Sequence, residues 1–333
     1  MESVYRLTGN GAMTSILVRS ATLDDVYYIV RLARQQVMVW QRVSEDGSVL
    51  NLPYEDLTVY ERWLHGGPWM SIETGSLQLG RLLLGHGLPL VITHHEKIVG
   101  YAETFLGDEP APFGRNLHIA KLYLPEDTIL RADVLEALLA HLSGYALKKK
   151  CQRLTMNNPI HNREVATLYE QAGFSEVDTI RRMIVSAKTG QVFYKATDYY
   201  PDDAINLTQW HLRIGRVASA TARWQAIMPY LWEAMLPYQA QTLHRIRMNV
   251  GGHDAYVAIH QHLYNPRLAD VTCWTPVLPT SQLITAIRDW AHRNSYRKLV
   301  LLVSPSDQKI LGLEAESDGY VEQVLARGVE QIR

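Results

Sequence analysis

The sequence predicts a mixed α/β fold, built twice along one chain. Three observations carry this. The chain has 333 residues, against roughly 100–200 for one ordinary domain. Hydrophobic residues make up 47% and charged residues 20%, a globular balance with material for two cores. The third is a repeated order of elements: strand, helix, hairpin, strand, Leu-Pro, helix, strand, helix, Gly-aromatic. Its punctuation falls at Leu124-Pro125 and Gly173-Phe174, then at Leu278-Pro279 and Gly319-Tyr320. A repeat of this length is one architecture used twice. A hairpin followed by βαβα gives a mixed α+β sheet with helices on both faces. The division is a first domain at 1–190, a linker at 191–209 and a second domain at 210–333.

In the first half, Ile16-Leu17-Val18-Arg19 reads as a strand. Ser20, Thr22 and Asp24 lead into a helix with Val26, Ile29, Val30, Leu32 and Ala33 on its apolar face. Residues 37–80 read as short helices and loops around Gly66-Gly67-Pro68. Pro89 to Thr93 and Lys97 to Phe105 form a hairpin that turns at His95-Glu96. Leu117 to Leu124 is the next strand. Val134, Leu135, Leu138, Leu139 and Leu142 then line one face of a helix ending near Lys148. A strand at Arg153–Met156, a helix at Asn162–Ala172 and a closing strand at Ile180–Ala187 complete the half. The second half runs from a strand at Leu212–Ile214 through a helix at Ala220–Trp232 to a hairpin about Gly251-Gly252. A strand at Val271–Val277, a helix carrying Leu283, Ile284 and Ile287, a strand at Lys298–Val303 and a helix to Gly319-Tyr320 follow.

Composition excludes several function classes. The 33 basic and 34 acidic residues leave a formal charge of −1, against the clustered positive charge of a nucleic-acid surface. Two cysteines, Cys151 and Cys273, make no disulfide framework and fit a reducing cytoplasm. No signal peptide reads at the start, and the apolar runs fall short of the ~20 residues that cross a bilayer. The expectation is a cytoplasmic protein with no membrane partner, a monomer or a homodimer. Among 13 histidines, His260-Gln261-His262 places two imidazoles on one strand face without a third ligand, so no metal site is expected. No Gly-x-Ser-x-Gly is present, so an activated serine is not indicated.

The most informative segment is Asn162-Arg163-Glu164-Val165-Ala166-Thr167-Leu168-Tyr169-Glu170-Gln171-Ala172-Gly173-Phe174. Seven residues are about two helical turns, so Asn162 and Tyr169 share a face. The segment resembles the last motif of the GNAT superfamily of acyl-CoA-dependent N-acyltransferases: Asn, two residues, a small residue, two more, Leu-Tyr, three residues, Gly-Phe. Val165 stands where Ala is usual. The resemblance covers about residues 15–187 in element order. It implies two tandem GNAT-like acyl-CoA N-acyltransferase domains, an arrangement similar to that of mycothiol synthase, the second domain being degenerate.

The resemblance implies acetyl-CoA as co-substrate and a primary amine of a small molecule or peptide as acceptor. Asn162 would bond the pantetheine arm. Tyr169 would give a proton to the departing thiolate, a role suited to a phenol that is neutral at pH 7. Leu122, Tyr123 and Leu124 at a strand end, with Thr128 and Arg131 at the following helix start, would hold the rest of the cofactor. Helix-start N–H groups hold its phosphates in this family. Here the loop from Leu124 to Val134 has no glycine, and it carries Glu126, Asp127 and Asp133. The acceptor would lie near the splay of the fourth and fifth strands, with Glu103, His118 and His161 as candidate general bases. The aromatics from Trp40 to Trp69 would lie over that site, as pocket walls or as a small satellite core.

Measured the same way, the second half has Ala315 where the first has Tyr169, and Gln308 where it has Asn162. Its Pro-to-Gly segment spans 40 positions against 48 (279 to 319 and 125 to 173). The proton donor is absent there. With neither phosphate loop carrying glycine, the rival to an N-acyltransferase is a GNAT-fold protein that binds a metabolite without turnover.

Overall fold

The computed structural model describes residues 2–9, 12–44, 47–159, 163–200, 206–233, 235–236, 242–262 and 265–329. They pack as two compact units. The first comprises Met1–Phe105, Ile119–Leu154 and Val329–Arg333, and the second Leu106–His118 and Thr155–Gly328.

In the first unit, β1 (Glu2–Gly9) pairs with β2 (Ala12–Ser20), which leads through a 3-10 turn to α1 (Val26–Gln35). Asp25 fixes that turn. Its carboxylate accepts from Arg19 at 2.7 and 2.8 Å and from the Thr22 N–H at 2.7 Å. A small separate ladder, β3 (Gln41–Val43) with β4 (Val49–Asn51), precedes α2 (Val59–Leu64) and α3 (Ile72–Arg81). The chain then enters the hairpin of β5 (Leu88–His94) and β6 (Lys97–Glu109), followed by β7 (Gly114–Tyr123) and α4 (Thr128–Lys148), residues 106–109 of β6 and 114–118 of β7 belonging to the second unit. His95 and Glu96 both take positive φ, 47° and 64°, the geometry of a two-residue turn that matches strand twist. The strand order is β1-β2-β5-β6-β7. α4 packs on β2, and Ile16, Val18, Leu90, Ile92, Leu135 and Leu138 are buried.

The second unit holds residues 155–159 of β8 (Arg153–Pro159), then α5 (Arg163–Gln171), β9 (Ser175–Ser186), β10 (Tyr194–Asp198), β11 (His211–Ile214) and α6 (Ala220–Ile227). It continues with β12 (Leu243–Val250), β13 (His253–His262), β14 (Asn265–Thr275), α7 (Ser281–Arg293), β15 (Lys298–Val303) and β16 (Glu316–Gly328). The order is β8-β16-β9-β15-β11-β14-β13-β12-β10. Leu283, Ile284 and Ile287 of α7 close the core over Val257, Ile259, Val271 and Leu301.

Four segments differ from the sequence expectation. Glu2–Gly9 is a strand. Tyr194–Asp198, within the expected connection, pairs with β12. Residues 230–232 leave the helix expected to reach Trp232 as a separate 3-10 turn after Pro229. The last expected helix is a 3-10 stretch, Pro305–Leu311, ended by Gly312 at φ 88°. After it, Gly319 (φ 86°) lies inside β16, where the register against β9 shifts between Ser317 and Val321. The Gly319-Tyr320 pair therefore marks a strand bulge; a helix stop and a bulge both ask for positive φ.

The central pair of the second unit is parallel. Leu268 to Val271 of β14 run beside Lys298 to Leu301 of β15. Beyond this register the two strands separate and β11 fills the opening. Ile214 faces Cys273 on one side and Val303 on the other, and the Gly215 N–H donates to the Leu302 carbonyl at 2.8 Å. Gly215 has φ 78°, and a Cβ there would lie 2.4 Å from the Val271 carbonyl oxygen and 2.6 Å from Thr272 Cα. Gly215→Ala is expected to destabilise the chain by more than about 2 kcal/mol, since conformational strain and a backbone clash add. Urea unfolding measures it, and a loss below about 0.5 kcal/mol would show that β11 is not held in the opening.

Candidate functional site

The first unit builds a polar site inside an apolar sheet. Glu103 lies in the middle of β6, 5% exposed, between Tyr101 (0%) and Phe105 (4%) on its own face. Trp69 Nε1 donates to Oε2 at 2.9 Å, Gln78 Nε2 donates to Oε1 at 2.9 Å, and the Tyr101 hydroxyl lies 3.5 Å from Oε2. Pro68 opens the short turn that carries Trp69, and the Ser71 hydroxyl then caps α3, which carries Gln78. Gly75 lets α3 close on the Trp69 ring, where a Cβ would meet ring carbon at 3.3 Å. Burial raises the Glu103 pKa above its ordinary value, against the Trp69 bond, the Lys121 charge and the Gln78 bond. A carboxyl so placed takes a proton more readily than one in water. The Tyr123 ring stacks on Tyr101 with centroids 6.0 Å apart, and burial, then the Glu103 charge, raises its phenol pKa. Two expected site residues, Glu103 and Tyr123, thus share one cluster. Tyr101 and Gln78 carried no sequence signal. Trp69 did, as an aromatic of the covering segment, and it is both core and hydrogen-bond donor. Trp40 and Tyr54 line a groove of about 540 Å³, where Arg34 and Arg62 stack on Tyr54 at 3.4 and 4.1 Å.

His118 belongs to the second unit and is 1% exposed. Its Nδ1 lies 3.0 Å from the Thr155 hydroxyl, which donates to Asn116 Oδ1 at 3.2 Å. Burial, then the Arg216 charge, pushes its pKa down to about 3. An imidazole with that pKa is a feeble base for an ammonium proton. Tyr169 lies on α5, 7% exposed, with the Phe174 ring edge-on at 6.2 Å. The helix stops where the motif puts its stop: Phe174 N–H donates to the Tyr169 carbonyl at 3.0 Å and Gly173 N–H to that of Glu170 at 2.9 Å, with Gly173 at φ 83°. Asn162 and His161 lie outside the described residues.

The expected phosphate loop lies in the first unit. Leu122 and Leu124 are half-buried and Thr128 is exposed. Asp127 caps α4, its Oδ1 accepting the Leu130 N–H at 2.8 Å. Arg131 turns back on the loop: Nε donates to the Pro125 carbonyl at 2.9 Å and a terminal nitrogen to that of Glu126 at 2.7 Å. A helix start leaves its first N–H groups without helical partners. Those of Thr128 and Ile129, beside a cation fixed by two carbonyls, suit an anion, and Asp127 opposes it. Glycine, which would allow a closer approach to the backbone, is absent from this loop.

In the second unit the fourth and fifth strands of the repeat are β14 and β15, and their splay is occupied by β11. Because Gly319 lies in β16, the count that set Ala315 and Gln308 against Tyr169 and Asn162 does not hold; the stretch in the helix's place is the Pro305–Leu311 turn, which has no tyrosine, and the splay is not open. Of the histidine pair, His262 Nε2 lies 3.1 Å from Asp270 Oδ2. No group of three or more His, Cys, Asp or Glu among the described residues is arranged to hold a metal. No described helix is long and apolar enough to cross a membrane.

Solved structures resemble this architecture over nearly the whole chain. One is a GCN5-related N-acetyltransferase from Anabaena variabilis ATCC 29413, with TM-score 0.58 and 10% identity over 95% of this chain and 73% of that one. Another is a GCN5-related N-acetyltransferase from Kribbella flavida, with TM-score 0.52 and 11% identity over 96% of this chain and 72% of that one. No protein-family model matches the sequence, and no curated protein matches it. At such identities the likeness establishes the fold: a mixed α/β GNAT fold.

Because the folded pKa of Glu103 is raised, the folded chain holds that proton more tightly than the unfolded one. The stability it contributes is complete below the unfolded pKa of about 4.3 and is lost as pH rises through the folded pKa. Glu103→Gln keeps the size and removes the titration. Its stability relative to the parent is expected to rise with pH from about 4.5 upward. Parallel stability–pH curves for the two proteins would show that Glu103 titrates as an ordinary carboxyl.

Proposed function

We propose that the chain is an acetyl-CoA-dependent N-acetyltransferase that moves an acyl group to a primary amine of a small molecule or peptide. The observation that carries this is the GNAT fold together with the Asn162–Phe174 motif, whose Tyr169 stands on a helix ended as the motif requires. Leu122, Tyr123, Leu124, Thr128, Arg131 and Asn162 would hold the co-substrate, which supplies a thioester carbonyl for attack. The reaction is direct attack by the amine. Tyr169 holds a proton at its phenolic oxygen for the leaving sulfur. Glu103 is the preferred acceptor of the ammonium proton, because burial raises its basicity while it lowers that of His118. Buried among Trp69, Tyr101 and Gln78, the carboxylate is also shielded from bulk water.

A second reading, metabolite binding without turnover, is favoured by one observation: the Asp127 carboxylate already caps the helix start that would meet the phosphates. Calorimetric titration with acetyl-CoA and with coenzyme A separates the two. The acyltransferase reading expects one site per chain with a dissociation constant on the order of micromolar. Absence of heat and of thermal stabilisation at about millimolar acetyl-CoA would give the lead to the binding module. With a productive amine found from a panel, Tyr169→Phe is expected to lower turnover about 10–100-fold and leave acetyl-CoA affinity unchanged, the pattern of a lost proton donor. An unchanged rate would remove Tyr169 from the mechanism.

A further inference from the structure

One groove of the first unit is lined by cations. On α1, Tyr27, Arg31 and Arg34 stand at i, i+4 and i+7, so they share a face. With Trp40, Tyr54, Arg62 and Glu73 they line a groove of about 540 Å³, and no member of the Glu103 cluster lines it. The whole chain has a formal charge of −1, yet this lining sets three guanidinium groups against one carboxylate. Tyr54 places two of the three. Its hydroxyl donates to the Met70 carbonyl at 3.0 Å, which holds the ring. The guanidinium carbons of Arg34 and Arg62 lie 3.4 and 4.1 Å from its centroid. Arg62 is fixed further, Nε donating to the Tyr54 carbonyl at 3.1 Å and Nη2 to that of Glu55 at 3.3 Å. Its other terminal nitrogen makes no hydrogen bond among the described residues, and the Arg34 guanidinium makes none. The Glu55 carboxylate lies 3.7 Å from Arg34 and is 75% exposed. Arg31 has neither a hydrogen bond nor an ion pair among the described residues.

Guanidinium groups held on one ring repel each other, and their placement has already cost them rotational freedom. Their unused N–H donors and positive charge remain on the groove wall. Arg31 stands one helical turn from Arg34, within reach of the same guest. A phosphate monoester matches this set, with about −1.5 to −2 charge at pH 7 and three acceptor oxygens. A single carboxylate would occupy one guanidinium fork. The rest of the wall is apolar: Tyr27 and Ile72 are exposed there, and the Trp40 ring meets Tyr54 edge-on at 5.1 Å. The volume lies within the roughly 300–1,000 Å³ of small-molecule sites and exceeds what a bare phosphate fills. We propose that this groove binds a phosphate monoester carried on a flat ring, with the phosphate on Arg31, Arg34 and Arg62 and the ring against Trp40. Glu73 in the same wall repels a second anionic group, which favours a single phosphate.

The test is calorimetric titration and thermal shift of the full chain with AMP and with phenyl phosphate, beside inorganic phosphate and benzoate, each at up to about 10 mM. No acyl donor is present, so the result is independent of the acyltransferase reading. At least one of the two ring phosphates is expected to bind at least about tenfold more tightly than either control, and the tighter of the two tells a nucleotide from a simple aryl phosphate. Arg31→Met and Arg34→Met are each expected to weaken that binding by about tenfold. Trp40→Ala is expected to reduce it to the level of inorganic phosphate. Arg31 is exposed, so its variant reads the site even where Arg34→Met fails to fold. Three outcomes would each overturn the proposal. One is ring phosphates bound no more tightly than inorganic phosphate or benzoate. Another is unchanged affinity in Arg31→Met. The third is affinity lost in Arg131→Met instead, which would place the phosphate at the start of α4.

Discussion

A parallel strand pair that separates leaves backbone donors and acceptors facing a gap, and buried backbone must be paired. This constraint organises the second unit. Past Val271 and Leu301 the pairing of β14 with β15 ends, and β11 supplies the missing partners to both. The need to fit three backbones into that opening explains Gly215, where even one added carbon would meet the Val271 carbonyl. It also explains why the absence of a tyrosine from the Pro305–Leu311 turn is not an isolated loss. A splay filled by the chain's own strand has no room for an acceptor, so a proton donor beside it would serve nothing.

Burial acts in opposite senses on Glu103 and His118, two of the three candidate bases. Removing a group from water favours its neutral form. For Glu103 the neutral form is protonated, so its affinity for a proton increases. For His118 the neutral form is unprotonated, so its affinity decreases. Trp69 and Gln78 moderate the first effect by donating to the carboxylate. They also fix its two oxygens, so that its lone pairs are directed by the fold rather than by solvent.

Local signals in the sequence were strong enough to define most elements. The turns at His95-Glu96 and Gly251-Gly252, the long apolar face of α4 and the stop at Gly173 all depend on residues within a few positions of one another. What the sequence did not reveal depends on distant partners. β10 and β16 are strands because β12 and β9 offer them an edge, and nothing in Tyr194–Asp198 announces that edge. Gly319-Tyr320 misled because one backbone requirement serves two structures. In the site, the place that the resemblance gives the acceptor marked Glu103 as a candidate. Its donors come from 34 and 25 residues away, and no spacing rule reaches that far.

The start of α4 poses a competition that magnitude can settle. A carboxylate cap and a bound phosphate meet at the same helix start: Asp127, on the Leu130 N–H, sets a negative charge beside the Thr128 and Ile129 N–H groups that suit an anion. Such a cap contributes typically about 1 kcal/mol. A ligand bound at micromolar strength draws on about 8 kcal/mol, gathered along its whole length. Releasing Asp127 would then cost roughly a fivefold factor in affinity, which is a penalty and not a prohibition. The carboxylate is exposed and can turn into water without leaving a buried charge behind. Arg131, already fixed by the Pro125 and Glu126 carbonyls, loses no freedom on meeting an anion, which offsets part of the penalty. An acid-capped, glycine-free loop is therefore compatible with a weakened cofactor site, and the absence of glycine alone does not make the fold a scaffold.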